Sequence, residues 1–434
     1  MRVLMFGWEF PPFISGGLGT ACYGLSKGLV QNGVEVAFVL PTKKRMTVPL
    51  MQGLSVIAAD ELVVDEALEK MLSRSEIRSQ SRFQFPVQLS PYYTVTSFKE
   101  LTALRVNQVK ADLGDMSRFS VLDFSGNYGV NLFEEVHRYG LIGELLGITE
   151  EFDVIHAHDW LTYPAGINAK RISGKPLVVH VHATEFDRSG EHVNQGVYDI
   201  ERAGLEAADR VVAVSYYTKS ILVKRYGVDP SKIEVVHNAV DKDRTLSRFG
   251  IKKGVKEKVV LFLGRVTMQK GPDYFLQAAY LVLKRMRNVR FVMAGSGDML
   301  PRMINWMAGM RIADRFHFTG FLRGVDVERM YAMSDLYVMP SVSEPFGITP
   351  FEALLYDVPI LISKQSGVGE VLQNAVKVDF WDVHTLADQM VRLLSNEGYA
   401  GEVVERCKGE LQNIEWESAG IKVREIYVSL TEQQ

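Results

Sequence analysis

Two carboxylates, Glu344 and Glu352, bracket the run Pro345-Phe346-Gly347-Ile348-Thr349-Pro350-Phe351 directly after the apolar segment Leu336 to Met339. That segment is short and continuously apolar, as in a strand covered on both faces. Pro340 and Pro345 break it, and Pro350 suits the first turn of a helix over Phe351 to Tyr356. Open α/β sheets bind ligands where a strand gives way to a helix. The amides of Phe346, Gly347, Ile348 and Thr349 then lie near a helix N-terminus, which favours an anion such as a diphosphate. One carboxylate can bond sugar hydroxyls and the other a ribose. The competing reading is a solvated Glu344 and a Glu352 that complements the helix dipole.

A second cationic loop points to the same chemistry. Gly264-Arg265-Val266-Thr267-Met268-Gln269-Lys270-Gly271 follows the strand candidate Val259 to Leu263 and opens a helix at Pro272. Arg265 and Lys270 there suit a diphosphate whose charge rises as a bond to it breaks. The loop lacks the G-x-x-x-x-G-K-[ST] pattern of a Walker site. Near the N-terminus, Ser15-Gly16-Gly17-Leu18-Gly19 lets a backbone approach a ligand at a helix start. Its spacing is not G-x-G-x-x-G and the next strand ends in Leu40-Pro41, so a nicotinamide site is disfavoured.

Two histidine pairs close the set: His156-Ala157-His158-Asp159-Trp160 and His180-Val181-His182-Ala183-Thr184-Glu185. They raise the question of zinc. Alternation puts His180 and His182 on one strand face, but nothing in the spacing requires them to converge with His156 and His158. One histidine from each strand end is expected to face a polar substrate while the others pack, and no metal is expected. Asp241-Lys242-Asp243 has D-x-D spacing but falls in a linker, and Gly295-Ser296-Gly297-Asp298 reads as a structural turn.

These residues need a scaffold that gathers strand ends. Strand and helix patterns alternate in both halves, which predicts α/β architecture with parallel sheets. In the first half the strands are Val3 to Phe6, Val34 to Leu40, Val154 to His156, Leu177 to Val181, Arg210 to Val214 and Ile233 to Val236, with a helix over Leu18 to Gln31. Residues 42 to about 125 read as an elaborated insertion. The second half carries strands Val259 to Leu263, Val289 to Ala294, Phe316 to Thr319, Leu336 to Met339 and Pro359 to Ile362. Its helices are Pro272 to Lys284, Met299 to Met310, Val325 to Met333 and Val383 to Ser395. The expected division is 1–240, a polar linker 241–258, a second domain 259–412 and a terminal helix in 413–434.

Composition agrees with this organisation. At 434 residues, 47% apolar and 23% charged, the chain exceeds one typical core. A net charge of −3 disfavours nucleic acid as a partner. Cys22 and Cys407 form no disulfide framework, no apolar run approaches the ~20 residues of a spanning helix, and a cytoplasmic location is expected.

Together, Gly264-Arg265, Lys270-Gly271, Glu344 to Glu352, His156 to Trp160, His182 and Gly16 to Gly19 resemble a retaining glycosyltransferase of the GT-B type. The glycogen and starch synthases and their group 4 relatives are most similar, over nearly the whole chain. The resemblance implies two doubly wound Rossmann-like domains facing a cleft, with the helix Trp416 to Leu430 crossing back onto the first. It implies catalytic roles for His182 at the reacting sugar, Arg265 and Lys270 at the donor diphosphate, and Glu344 beside the donor sugar. On the donor it further implies Gly17 near the phosphate, Asp159 at the sugar hydroxyls, and Phe321-Leu322 at the base. Gly347, Ile348 and Thr349 fall at the phosphates and Glu352 at the ribose.

The implied reaction is metal-independent transfer of a hexose from an ADP- or UDP-sugar to an α-glucan, with no cofactor. The starch synthases carry a Lys before the paired glycines where this chain has Ser15. That departure keeps a second acceptor class open: a disaccharide, a lipid carrier or a cell-envelope glycan. A nucleotide-sugar epimerase and a noncatalytic sensor are the alternatives from other classes.

Overall fold

The computed structural model describes residues 1–11, 17–42, 51–61, 132–242, 254–412 and 414–432. The expected insertion lies outside these residues except at 51–61, and so do Ser15, Gly16 and Asp243.

Seven strands form the first sheet: β1 (Arg2–Phe6), β2 (Glu35–Leu40), β3 (Leu54–Ala58), β4 (Val154–His158), β5 (Leu177–Val181), β6 (Arg210–Ala213) and β7 (Ile233–Val235). They lie in the order β3-β2-β1-β4-β5-β6-β7, every pair parallel. Six more form the second: β8 (Lys258–Leu263), β9 (Val289–Ala294), β10 (Phe316–Gly320), β11 (Leu336–Met339), β12 (Ile360–Ser363) and β13 (Val376–Val378). Their order is β10-β9-β8-β11-β12-β13, again all parallel. Strands such as Val-Ile-His-Ala-His and Leu-Tyr-Val-Met are buried along their whole length, as parallel sheets covered on both faces require. The strand order reverses between β1 and β4 and again between β8 and β11, the two switch points where doubly wound sheets take ligands.

The expected GT-B architecture of two doubly wound sheets is therefore present, with local shifts of boundary. β4 runs two residues further, to His158, because His158 pairs in register with His180 on β5. The helix after β11 spans Thr349–Leu355, so Pro350 sits inside its first turn. Several helices passed unremarked in the sequence, among them Leu132–Thr149 and Glu397–Leu411.

The last helix, Trp416–Thr431, returns to the first sheet and lies on the helix Gly17–Gln31. It buries Trp416, Ala419, Gly420, Val423, Ile426, Tyr427 and Leu430, a single stripe at helical spacing. Small residues set the approach of the two helices. A Cβ on Gly28 would stand 2.0 Å from the Trp416 carbonyl oxygen, and one on Gly420 would stand 2.4 Å from the Gly28 carbonyl carbon. Asn32 Nδ2 also donates to the Glu417 carbonyl at 3.1 Å.

Substituting Gly28→Val must push the two backbones apart, an overpacking expected to destabilise by about 1–3 kcal/mol. A lower urea midpoint is the expected result. An unchanged midpoint would contradict so close a crossing.

Candidate functional site

The wall built on the second sheet starts at the β8 and β11 ends, on either side of the switch point. After β8 the chain makes a short turn over Met268–Lys270, and Gly271 follows with φ 63°. A Cβ at Gly271 would meet the Pro340 carbonyl oxygen at 2.1 Å, so this loop rests directly on the end of β11. The Gln269 carbonyl accepts from the amides of Val342 at 2.9 Å and Ser343 at 3.4 Å, fastening the two loops together.

Across that seam Lys270 Nζ donates to Glu344 Oε2 at 2.5 Å, and Ser341 Oγ donates to the same oxygen at 3.1 Å. Glu344 is only 5% exposed, and its backbone amide bonds the Gln365 carbonyl. Arg265 is exposed and reaches Gln269 Oε1 at 3.3 Å. The amides of Gly347 and Ile348 have no acceptor among the described residues. Thr349 is held by Tyr337, whose hydroxyl lies 2.6 Å from Thr349 Oγ1. Glu352 Oε2 accepts from the Tyr331 hydroxyl at 2.9 Å. Phe321 and Leu322 follow β10, with Phe321 43% exposed and the Arg323 guanidinium 5.2 Å from its ring centroid.

The opposite wall rises from β1, β4 and β5. Gly17 begins the first helix, and among the described residues nothing beyond its chain neighbours lies within 4 Å of the position its Cβ would take. Asp159 follows β4 with φ 58°, a left-handed conformation that is uncommon for a residue with a side chain. Its Oδ1 accepts from the amides of His182 at 2.7 Å and Ala183 at 3.3 Å. The carboxylate thus shapes the turn that presents His182. Burial raises the Asp159 carboxyl to about 6, opposed by the Arg188 charge and those two amides.

The four histidines correct one sequence expectation: the two pairs converge. His156 Nε2 lies 3.2 Å from His180 Nδ1, and His158 Nδ1 lies 3.0 Å from His182 Nε2. Alternation along each strand stacks His180 on His182 and His156 on His158, with centroids 4.3 and 4.5 Å apart, and the register of β4 on β5 brings His158 within 5.1 Å of His180. Among the described residues two overlapping sets could hold a cation, Cys22-His158-His182 and His156-His158-His180. Burial lowers all four imidazoles, His182 to about 3, and keeps them neutral. At the far end His156 Nδ1 meets the Tyr427 hydroxyl at 2.5 Å, tying the stack to the terminal helix.

The two walls touch. The short helix Glu185–Ser189, which follows His182, packs on the Met268–Lys270 turn. Ser343 Oγ donates to Asp187 Oδ1 at 2.5 Å and lies 2.9 Å from the Tyr217 hydroxyl, while Ser215 Oγ donates to the Pro345 carbonyl at 2.6 Å. Glu370 accepts from the amides of Tyr216 and Tyr217 at 2.9 and 2.7 Å and lies 3.0 Å from His237 Nε2. Burial opposes the Glu370 charge, but these donors hold its carboxyl below the usual range.

The structure therefore gathers Arg265, Lys270, Glu344 and the 347–349 turn on one wall, with His182, Asp159 and Gly17 on the other. Sequence reasoning missed Asp187, Ser343, Tyr427 and the buried Arg188–Glu201 pair at 2.9 Å. Only Asp187 had a local signal: Thr184 and Asp187 form a reciprocal capping box at the start of their helix.

Comparison with known proteins bears on the family and the fold. The family model for glycosyl transferases group 1 matches residues 243–410, and that for glycosyltransferase family 4 matches residues 131–244. An uncharacterized glycosyltransferase of Methanocaldococcus jannaschii is 26% identical, covering 98% of both chains. A glycogen synthase of Mycobacterium tuberculosis is 24% identical over 99% of this chain and 95% of its own. A D-inositol 3-phosphate glycosyltransferase of Salinispora tropica is 27% identical over 66% of each. The sucrose-phosphate synthase structure from Thermosynechococcus elongatus superposes over 100% of both chains with TM-score 0.72 at 16% identity, a likeness of fold. Among the described residues no helix is long and apolar enough to cross a membrane.

The histidine stack has a consequence for stability. Each imidazole is held below its usual 6.5, so as pH falls through 6.5 the unfolded chain takes up protons that the folded chain refuses. Stability from these groups is complete above that value and is lost toward the His182 value of about 3. The buried carboxyls Asp159, Asp187 and Glu201 are raised and act in the opposite sense, but hydrogen bonds to their ionised forms limit that effect. The melting temperature is expected to fall between about pH 7 and pH 5, with a shallower fall in His180→Gln. A melting temperature that rises over this interval would contradict the neutral stack.

Proposed function

Because the chain belongs to the GT-B glycosyltransferases, we propose that it transfers a hexose from a nucleoside diphosphate sugar to an α-glucan with retention of configuration. The single observation that carries this reading is the Lys270–Glu344 pair at 2.5 Å, set beside Arg265 and the amides of Gly347 and Ile348, which have no acceptor among the described residues. Cations and amides there suit a diphosphate, and the carboxylate next to them suits sugar hydroxyls.

In the proposed step the bond from the sugar C1 to the β-phosphate oxygen breaks and a bond from C1 to an acceptor hydroxyl oxygen forms on the same face. The acceptor proton passes to the departing phosphate oxygen. Lys270 and Arg265 disperse the negative charge that develops on that phosphate, and neutral His182 and Glu344 hold hydroxyls of the reacting sugar. Glu352 takes the ribose, Phe321 and Leu322 the base, and Gly17, Ile348 and Thr349 the phosphates. Asp159 acts through the His182 turn. This distribution of charge requires neither a metal nor a cofactor, and the reading includes a cytoplasmic setting.

A non-glucan acceptor is the second reading, favoured by Ser15 in the glycine loop and by the similarity to an inositol phosphate transferase. A screen of ADP-, UDP- and GDP-hexoses against glycogen, maltooligosaccharides, inositol phosphate and lipid phosphates separates the two. Elongation of glycogen is the expected outcome. Transfer only to another acceptor would replace the glucan reading with the second one.

Lys270→Ala is expected to lower turnover about a hundredfold, the scale of removing one preorganised charge donor. Activity near that of the parent would remove Lys270 from the reaction.

A further inference from the structure

The first helix carries a polar stripe beside its core-facing side. Thr20, Tyr23 and Lys27 recur at helical spacing on Gly17–Gln31, away from the Cys22, Leu25 and Leu29 face that enters the core. They line a cavity of about 260 Å³ whose opposite wall is Phe321, Arg323 and Glu352 of the second domain. Ala239, Val240, Asp241 and Trp416 close it between the domains.

Resting on the reading above, we propose that this stripe is a second wall for the nucleoside half of the donor, so that base and ribose are gripped by both domains. Three features of the cavity support it. The cavity is smaller than the roughly 300–1,000 Å³ of a complete small-molecule site, as expected of a place for part of a ligand. One side offers an exposed aromatic face under a guanidinium, the pairing that suits a flat base, next to a carboxylate whose Oε2 is fixed by Tyr331. The other side offers hydroxyls of Thr20 and Tyr23 that make no hydrogen bond among the described residues. The Tyr23 ring is set edge-on by Phe10, with centroids 5.4 Å apart. Lys27 Nζ stands 3.5 Å from Asp241 Oδ2, a long contact that a ligand oxygen can join.

The consequence is a coupling of specificity to closure. A base that bonds Tyr23 and Lys27 holds the first helix against the β10 loop, and a base lacking those acceptors binds the second domain alone. Tyr23 and Lys27 are then specificity residues for the donor, at a position where neither the glycine loop nor the diphosphate cations reach.

Calorimetry on the intact chain tests this with nucleoside mononucleotides (UMP, AMP, GMP), which lack the β-phosphate, and with the matching diphosphates. Lys27→Met and Tyr23→Phe are expected to weaken the preferred mononucleotide, Lys27→Met by about tenfold. Donor KM should rise in parallel, with the loss carried by KM rather than kcat. Lys270→Ala should weaken the diphosphate and spare the mononucleotide. Equal mononucleotide affinity in the parent and both variants would overturn the second wall and leave the transferase reading intact. A lowered kcat and melting temperature with unchanged affinity would likewise overturn it, since that is the signature of a purely structural contact. A parent protein that binds no nucleoside diphosphate sugar would remove both.

Discussion

The contact on which the rest depends is the crossing of the last helix over the first, with Gly28 and Gly420 bringing the two backbones together. Two parallel sheets joined only by a linker would be free to present their strand ends to solvent. The return of Trp416–Thr431 to the first domain closes the chain on itself and sets the two groups of strand ends against each other. The same helix delivers Tyr427 to His156 and Trp416 to the cavity between the domains. Residues that follow β5 and β6 then meet residues that follow β11 and β12, through Asp187–Ser343, Ser215–Pro345 and Tyr217–Glu370.

Within that cleft the two walls have opposite electrostatic character. The second-domain wall is ionic: Lys270 and Glu344 are paired at 2.5 Å with Arg265 exposed beside them. The pair keeps an ammonium ordered in a partly buried place, where an unpaired charge would be costly. The first-domain wall is polar but uncharged at its histidines, because burial keeps all four imidazoles neutral. In the proposed reaction an anionic leaving group would meet positive charge on one side and neutral hydrogen-bonding groups on the other. Burial alone holds the His182 imidazole down at about 3.

The sequence was most legible where a single strand and its following turn carry the information. The runs Leu177 to Val181, Val289 to Ala294 and Leu336 to Met339 are short, mostly apolar segments, broken only by His180 and Arg290, and they appear in the structure with those limits. Arg265, Lys270, Glu344 and His182 were legible for the same reason, since each lies just past such a run. What escaped depends on registers and crossings that no local pattern encodes. The convergence of His156 and His158 with His180 and His182 follows from the pairing of β4 with β5. The Ser343–Asp187 bond spans 156 positions, and Tyr427 reaches His156 across 271. The helix Leu132–Thr149 carries Gly140, Gly143 and Gly147 in its interior, and these poor helix formers blur its local signal.

The central claim is that both walls serve one donor, with its diphosphate between Lys270 and the 347–349 turn. The most direct measurement is a crystal structure of the protein soaked with the nucleoside diphosphate of the donor that it turns over. Phosphate oxygens are expected within hydrogen-bond distance of Lys270 Nζ and of the Gly347 and Ile348 amides, with the ribose on Glu352. A nucleotide bound elsewhere, with the Lys270–Glu344 pair and those amides untouched, would contradict it.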